Sequence, residues 1–494
     1  MFARSWKARK RFFLPFCNNF AGWASYNIVK WMQQQKGTFE MKKAWLLTTA
    51  LCASLVSGCG LTDTPNELMR APSADGDQKS INQAVMQFLP AGSQLSVPLH
   101  PAEASAVSLQ DLNGDGVAEV VAFYKTEKTD YEIGVLVLTQ KQGNWEKLSS
   151  FTGVGSELDY VSFQDLTGDN IPEMLIGMGG GEDLNKELSV YSLANNMTQE
   201  LMKQPYTIMA VGDLTGDDHA DLALVVLDKN NFTSKAELYG AANGTIAKKT
   251  ELALDGYVNG YYQAIIGKAS PTRNGLFIDA GLGAHSASTE LLLWDNGQLS
   301  NPLAKIEGEM DLTFKPYSLE SEDINGDGII EIGTKIQPAG TEDLAMAEIP
   351  WVSSYFQWDG KTGLKHIEDH YQHYTQGFDL KIPAKWGEKY TISINHDTNP
   401  LLIRFLYYGA NGKNKAELLT LQSIPQNEWT KFESGLKQKQ VPYILLKEEG
   451  KQVLIAILPQ TTPTLGKAAL AEYRSMQLTA EEVRQLYKPM TNRE

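Results

Sequence analysis

Four short stretches of this chain set oxygen-bearing side chains at one repeated spacing. They read Asp111-Leu-Asn113-Gly-Asp115-Gly-Val117-Ala-Glu119, Asp165-Leu-Thr167-Gly-Asp169-Asn-Ile171-Pro-Glu173, Asp213-Leu-Thr215-Gly-Asp217-Asp-His219-Ala-Asp221 and Asp323-Ile-Asn325-Gly-Asp327-Gly-Ile329-Ile-Glu331. A hard cation such as Ca²⁺ takes about six to eight oxygens at roughly 2.3–2.6 Å, and a tight turn supplies them from alternate residues. Positions one, three and five give side-chain oxygens: Asp111, Asn113 and Asp115; Asp165, Thr167 and Asp169; Asp213, Thr215 and Asp217; Asp323, Asn325 and Asp327. The carbonyls of Val117, Ile171, His219 and Ile329 occupy position seven, and Glu119, Glu173, Asp221 and Glu331 close each loop at position nine. Glycine at position four permits the bend. The competing reading is a metal-free hairpin whose turn is closed by Asx hydrogen bonds alone.

Elements must hold these loops, and the flanks name them. Val107-Ser-Leu precedes the first loop and Val-Val follows it, and the other copies sit between similar Val, Ile and Leu runs. Such flanks read as strands, and the closing acid at position nine instead of twelve separates the pattern from an EF-hand. The first aspartates step by 54, 48 and 110 residues. The doubled last step predicts a degenerate copy, and Ala264-Ile-Ile-Gly267 through Gly275-Leu-Phe-Ile-Asp279 keeps the strands there without the acids. A period near 50 residues means repeated supersecondary units.

The repeated loop with β flanks resembles the VCBS/FG-GAP repeats of integrin α-subunit propellers and bacterial surface proteins, over residues 84–370. The resemblance implies a mainly β fold in which each repeat is one four-stranded blade of a β-propeller. About five blades are expected, and a partly degenerate sixth stays open. It further implies that calcium is structural. The Phe-Gly and Gly-Ala-Pro signatures of integrin repeats are missing, so only the metal-loop residues carry over.

Other constellations are weaker. His366, His370 and His373 with Glu368 and Asp369 would share a face on a helix and could take zinc, but the aromatic neighbours favour strand or loop and a solvated edge. Gly177-Met-Gly-Gly-Gly181 lacks the Lys-Ser/Thr of a phosphate loop, so a turn between blades is expected. Tyr257, Tyr261, Tyr262, Trp351, Tyr355, Phe356 and Trp358 are expected first as blade packing and second as a sugar or peptide groove.

Charge is divided along the chain. The formal net charge is −15, but residues 1–58 hold nine Lys or Arg against Glu40 alone, which leaves the remainder strongly acidic. An acidic surface repels phosphate backbones and favours cations, so nucleic acid is excluded as a partner. Met41-Lys-Lys begins a basic segment, an apolar run follows from Ala44 to Leu55, and Val56-Ser-Gly-Cys59 ends it. That order is a signal peptide with a small-residue cleavage site, too short for a membrane span. Its end resembles the lipobox of bacterial lipoproteins, which makes Cys59 the lipidated residue and 41–58 the removed signal. Residues 1–40 read as an extension from a misassigned start, or alternatively as a basic cytoplasmic arm. With Cys17 and Cys52 upstream, Cys59 would be the only mature thiol, which removes cysteine nucleophiles and disulfides. Residues 59–83, rich in Pro, Ser, Asp and Gly, read as a flexible tether.

Beyond 370 the acidic repeat stops. Residues 371–489 read as a smaller α+β domain, with strands at 390–394, 401–408, 416–421 and 452–458, a helix from Lys467 to Met476 and a capping box at Thr479-Ala-Glu-Glu482. The phrase Ile382-Pro-Ala-Lys-Trp386 is similar to the start of PsbP-like domains. The whole reads as a calcium-binding lipoprotein on the outer face of a bacterial membrane, binding or scaffolding an envelope or extracellular protein or glycan. The alternative is an envelope hydrolase or polysaccharide-active enzyme that uses the propeller as scaffold, which would need paired carboxylates in one cleft outside the loops.

Overall fold

The computed structural model describes residues 75–490 except 127–128, 181–185, 307, 309, 396–400 and 411. The expected extension, signal peptide, Cys59 and most of the tether lie outside the described residues. Among these residues the strands form six antiparallel sheets, so the mainly β expectation holds. The first sheet draws on residues 93–154, the second on 157–206, the third on 208–255 and the fourth on 260–300. The fifth uses 332–381 plus a late strand Tyr487–Pro489, and the sixth uses 390–457.

The second to fourth sheets are four-stranded meanders in chain order. Their second strands read as continuous apolar runs, such as Glu173–Gly179 and Asp221–Asp228, because both faces are covered. Last strands such as Thr245–Asp255 alternate between exposed and half-buried positions, as expected at a sheet edge. Consecutive sheets share apolar cores. Val121, Phe123 and Val135 of the first meet Met174 and Ile176 of the second, and Leu175 and Val190 of the second meet Leu222 and Leu224 of the third. Ala223 and Leu238 of the third meet Leu276 and Leu292 of the fourth, and Phe277 and Leu291 of the fourth meet Ile332 and Trp358 of the fifth.

The faces left over at the two ends of this series are covered by other elements. Helix Asp75–Phe88 lays Ile81, Ala84, Val85 and Phe88 on Val120, Ala122 and Leu136 of the first sheet. Its i, i+3, i+4, i+7 spacing is a helical face, so the end of the expected tether, from Asp75, is folded. At the other end Tyr371, Phe378 and Leu380 of the fifth sheet share a core with Phe405, Leu421 and Tyr473. The expected boundary at 370/371 falls inside strand Leu364–His373, and the fifth sheet continues through Phe378–Lys381.

The C-terminal strands and the helices Lys467–Met476 and Ala480–Leu486 appear where the pattern placed them. Thr479 accepts from the Glu482 backbone at 3.2 Å while Glu482 accepts from the Thr479 backbone at 2.8 Å, a complete capping box. An additional helix, Trp429–Gln438, buries Trp429 and Leu436. No helix among the described residues is long and apolar enough to cross a membrane.

Candidate metal centres

In the first three sheets the acidic loop joins two paired strands, the later of which starts at the closing acid Glu119, Glu173 or Asp221; in the fifth sheet the loop is closed by the bridge Glu322↔Glu331 and leads into strand Ile332–Ile336. Within every loop the first aspartate is used by the backbone. Gly114 and Gly116 N–H donate to Asp111 at 2.8 and 2.9 Å; Gly168 and Asn170 donate to Asp165 at 2.7 and 2.8 Å. Gly216 reaches Asp213 at 2.6 Å, and Gly326 and Gly328 reach Asp323 at 2.8 Å each. The closing acid spends one oxygen on the loop as well, accepting from Leu112, Leu166, Leu214 or Ile324 at 2.8–3.0 Å. These bonds fix the turn as Asx geometry would.

The oxygens left over decide between turn and metal site. In the fifth sheet the carboxylate oxygens of Asp323, Asp327 and Glu331 lie within 4.8 Å of one another, a group that could hold a metal ion. Donors gather at the same place: Asn325 Nδ2 is 3.1 Å from Asp327 Oδ2 and from Glu331 Oε1, and Gln357 Nε2 is 2.9 and 2.7 Å from those two oxygens. The first loop repeats this, with Asn113 Nδ2 3.2 Å from Asp115 Oδ2 and 3.1 Å from Glu119 Oε1, and Thr139 Oγ1 donating to Glu119 at 3.0 Å. In the second, Thr167 Oγ1 donates to Glu173 Oε1 at 3.2 Å. In the first and fifth loops the oxygens of positions five and nine therefore converge on the same positive partial charge, and the hard oxygen set there fits calcium.

Electrostatics agree. Burial, with repulsion from Asp115 and Asp111, holds the Glu119 carboxyl above the ordinary range despite its hydrogen bonds. Burial and the neighbouring Asp169 and Asp165 do the same to Glu173. Glu331 is pushed up to about 6, mainly by burial and then by Asp327 and Asp323. Carboxylates held in this way gain from a bound cation.

The third loop is different. Lys249 Nζ, from strand Thr245–Asp255, lies 2.8 Å from Asp221 Oδ1 and 3.8 Å from Asp217 Oδ2. Of the expected ligand set Asp213, Thr215, Asp217, His219 and Asp221, the carboxylates of Asp217 and Asp221 thus face an ammonium. Sequence spacing could not find this pair, because the register of the third sheet makes it.

The fourth sheet, which lost the loop acids, keeps Asp279 inside. Lys315 and Asp279 are both fully buried and 2.7 Å apart, and Thr289 Oγ1 and Ser321 Oγ also donate to Asp279 Oδ1, at 2.5 and 3.0 Å. Ser321 N–H donates to the other oxygen at 2.7 Å.

The histidines do not gather. His366 is half exposed beside Asp369 at 2.8 Å, and His373 stacks on Phe378. His370 is buried instead of solvated, with Nδ1 2.8 Å from Asp379 Oδ1 and Nε2 2.8 Å from Glu368 Oε1. Burial opposes its charge, but Asp379 and Glu368 outweigh that and raise its pKa. Gly177–Gly179 lie in the second strand rather than in a turn between blades, and a Cβ on Gly177 would come within 2.1 Å of the Tyr206 hydroxyl.

The aromatics divide. Tyr355 is fully buried, and Tyr261 and Trp358 join the cores between sheets. Phe356 lies edge-on to His366. Tyr257 is 77% exposed and stacks on Phe232, 58% exposed, at 5.2 Å. Trp351 meets Tyr317 at 5.5 Å, which meets His285 at 5.6 Å. Tyr262 lines a cleft of about 520 Å³ with Glu320, Glu322, Gln372, Tyr374 and Asp379.

No family model matches this chain and no curated protein does. Among solved structures it is similar to rhamnogalacturonan lyase YesW, at 12% identity and a TM-score of 0.27 over 55% of this chain and 68% of that one. The exotype rhamnogalacturonan lyase YesX gives 10% and 0.25 over 75% and 91%, and the Bacillus licheniformis rhamnogalacturonan lyase 11% and 0.26 over 72% and 91%. Likeness at this level carries no argument about the activity of this chain.

Proposed function

We propose that this chain is an exported, lipid-anchored calcium protein that binds or scaffolds an envelope or extracellular protein or glycan. Its five consecutive sheets are read as about five propeller blades of VCBS/FG-GAP type, followed by the smaller α+β region as a second contact. The carrying observation is the gathering of the Asp323, Asp327 and Glu331 carboxylate oxygens in the fifth-sheet loop, with positions five and nine brought together in the same way around Asn113 in the first. Calcium would be held by Asp111, Asn113, Asp115, the Val117 carbonyl and Glu119, and by the matching residues of the loops at 165–173 and 323–331. Bound there, it neutralises the packed carboxylates and pins two strands together. Its role is structural.

Antiparallel topology then separates metal from partner. A turn after the first strand and a turn after the second lie at opposite ends of a meander. Phe232 follows the second strand of the third sheet, Tyr257 links the third sheet to the fourth, His285 follows the second strand of the fourth, and Tyr317 links the fourth to the fifth. All belong to the end away from the calcium loops, where exposed aromatic faces offer a protein or a sugar ring a rigid apolar surface. The anchor is Cys59, which places the molecule on the outer face of the membrane.

The test passes envelope extract over the immobilised mature protein, with and without chelator, beside a Tyr257→Ala/Trp351→Ala variant. Capture that is lost with chelator and weakened by the aromatic changes is expected. Equal capture by all three forms would sink the proposed role, and lipid label persisting in a Cys59→Ser protein would sink the anchor.

A further inference from the structure

We infer that the third acidic loop carries its own cation: the Lys249 ammonium stands where calcium would sit, so this loop takes no ion and the protein binds three calcium ions instead of four. The inference rests on the calcium reading of the other three loops.

The argument begins with register. Strand Asp221–Asp228 pairs with Thr233–Ala242 as Leu222↔Tyr239, which sets Gly240 beside Asp221. Strand Thr233–Ala242 in turn pairs with Thr245–Asp255 as Tyr239↔Lys248 and Gly240↔Ala247. Lys249, on the far strand, must reach across the middle one to touch Asp221, and only a missing side chain at 240 leaves the path open. A Cβ on Gly240 would lie 2.5 Å from Lys249 Cε, 2.6 Å from its Nζ and 2.7 Å from Asp221 Oδ1. Glycine and lysine therefore act as one device.

Occupancy follows from distance and from donor chemistry. Calcium needs Asp221 Oδ1 at about 2.3–2.6 Å, and the ammonium nitrogen already stands 2.8 Å from that oxygen. An ion bound between Asp221 and Asp217 would stand against the positive charge that already faces both carboxylates, and like charges so close repel. In the first and fifth sheets the place that Gly240 holds here is taken by a neutral residue that carries oxygen: Thr139 beside Glu119, with Val120↔Leu138 as the next pair, and Gln357 beside Glu331, with Ile332↔Phe356 next. A hydroxyl or a carboxamide can turn an oxygen toward an ion, whereas an ammonium has three donors and no lone pair. Asp221 is buried, and Lys249 is only one-fifth exposed, so this ion pair is shielded from water.

The consequence is an array with two kinds of loop. Three respond to calcium, and the third stays closed when calcium is withdrawn, which keeps the middle of the series folded during depletion.

The experiment measures bound calcium by elemental analysis on the mature protein dialysed against millimolar calcium, for wild type, Lys249→Gln and Lys249→Met. The glutamine variant exchanges the ammonium for a neutral carboxamide and serves if the methionine variant folds poorly. Expected are three ions in the wild type and four in both variants, with the variants losing more melting temperature than the wild type on adding chelator. Four ions in all three proteins overturns the inference and leaves the calcium reading standing. No ion in the wild type but one in the variants overturns the calcium reading and keeps the role of Lys249. No ion in any of them overturns both.

Discussion

Withdrawing calcium perturbs three loops at once, and its size can be worked out. A site filled from millimolar calcium with a Kd of about 10⁻⁴–10⁻³ M contributes about 0.4–1.4 kcal/mol by mass action. Three such loops sum to about 1–4 kcal/mol. Melting temperature moves about 2–4 °C for each kcal/mol in domains of 150–250 residues, so a shift of several degrees is expected. The assay is thermal unfolding of the mature protein across a calcium titration, with magnesium as control. Glu331→Gln localises the effect. It preserves the acceptor for the Ile324 N–H and the neighbourhood of Asn325 and Gln357, but it removes the charge that burial, Asp327 and Asp323 oppose. The variant should lose one site's share of the calcium response and be no less stable than wild type in chelator. Superimposed melting curves in chelator and in calcium would refute the reasoning, because the carboxylates would then be satisfied by amide and hydroxyl donors alone.

Two further outcomes follow from buried charge. Lys315→Met leaves the fully buried Asp279 without its cation, and breaking such a pair costs about 3–5 kcal/mol; in urea unfolding Lys315→Met/Asp279→Leu should recover most of that loss. A single variant no less stable than wild type would contradict this. The charged His370, facing Asp379 and Glu368 with Lys381 beyond them, has a raised pKa, so its contribution is present below the ordinary imidazole range and is lost as pH rises through the raised value. Stability measured against pH should show that decline in wild type and not in His370→Gln, and the same slope in both would remove His370 as its source.

The loops were legible because their chemistry is local. An Asp-x-Asn-Gly-Asp spacing both bends the chain and brings its oxygens together, and four copies between apolar runs announce strands on either side. The capping box at Thr479 and Glu482 was legible for the same reason, being complete within four residues. What escaped depends on sheet register or on tertiary cover. The fifth sheet recruits Tyr487–Pro489 from the end of the chain, which no spacing near residue 371 reveals. Helix Asp75–Phe88 hides in a polar composition, yet the four apolar residues on its inner face suffice once the first sheet covers them.

Charge shows the limit most clearly. In the sequence, the side-chain ligand positions of the third loop and the first differ by Thr215 for Asn113 and Asp221 for Glu119, a small change in ligand quality. In the fold they differ in kind, because Asp221 is one methylene shorter than Glu119 and meets Lys249 through the opening at Gly240. The same reach is open to neither Glu119, which meets the hydroxyl of Thr139, nor Glu331, which meets the amide of Gln357. One repeated turn thus presents its carboxylates to a hydroxyl or an amide from the adjacent strand, or to an ammonium from the strand beyond it. The loop sets where positive charge is needed, and the sheet beside it decides whether that charge comes from solution or from the chain.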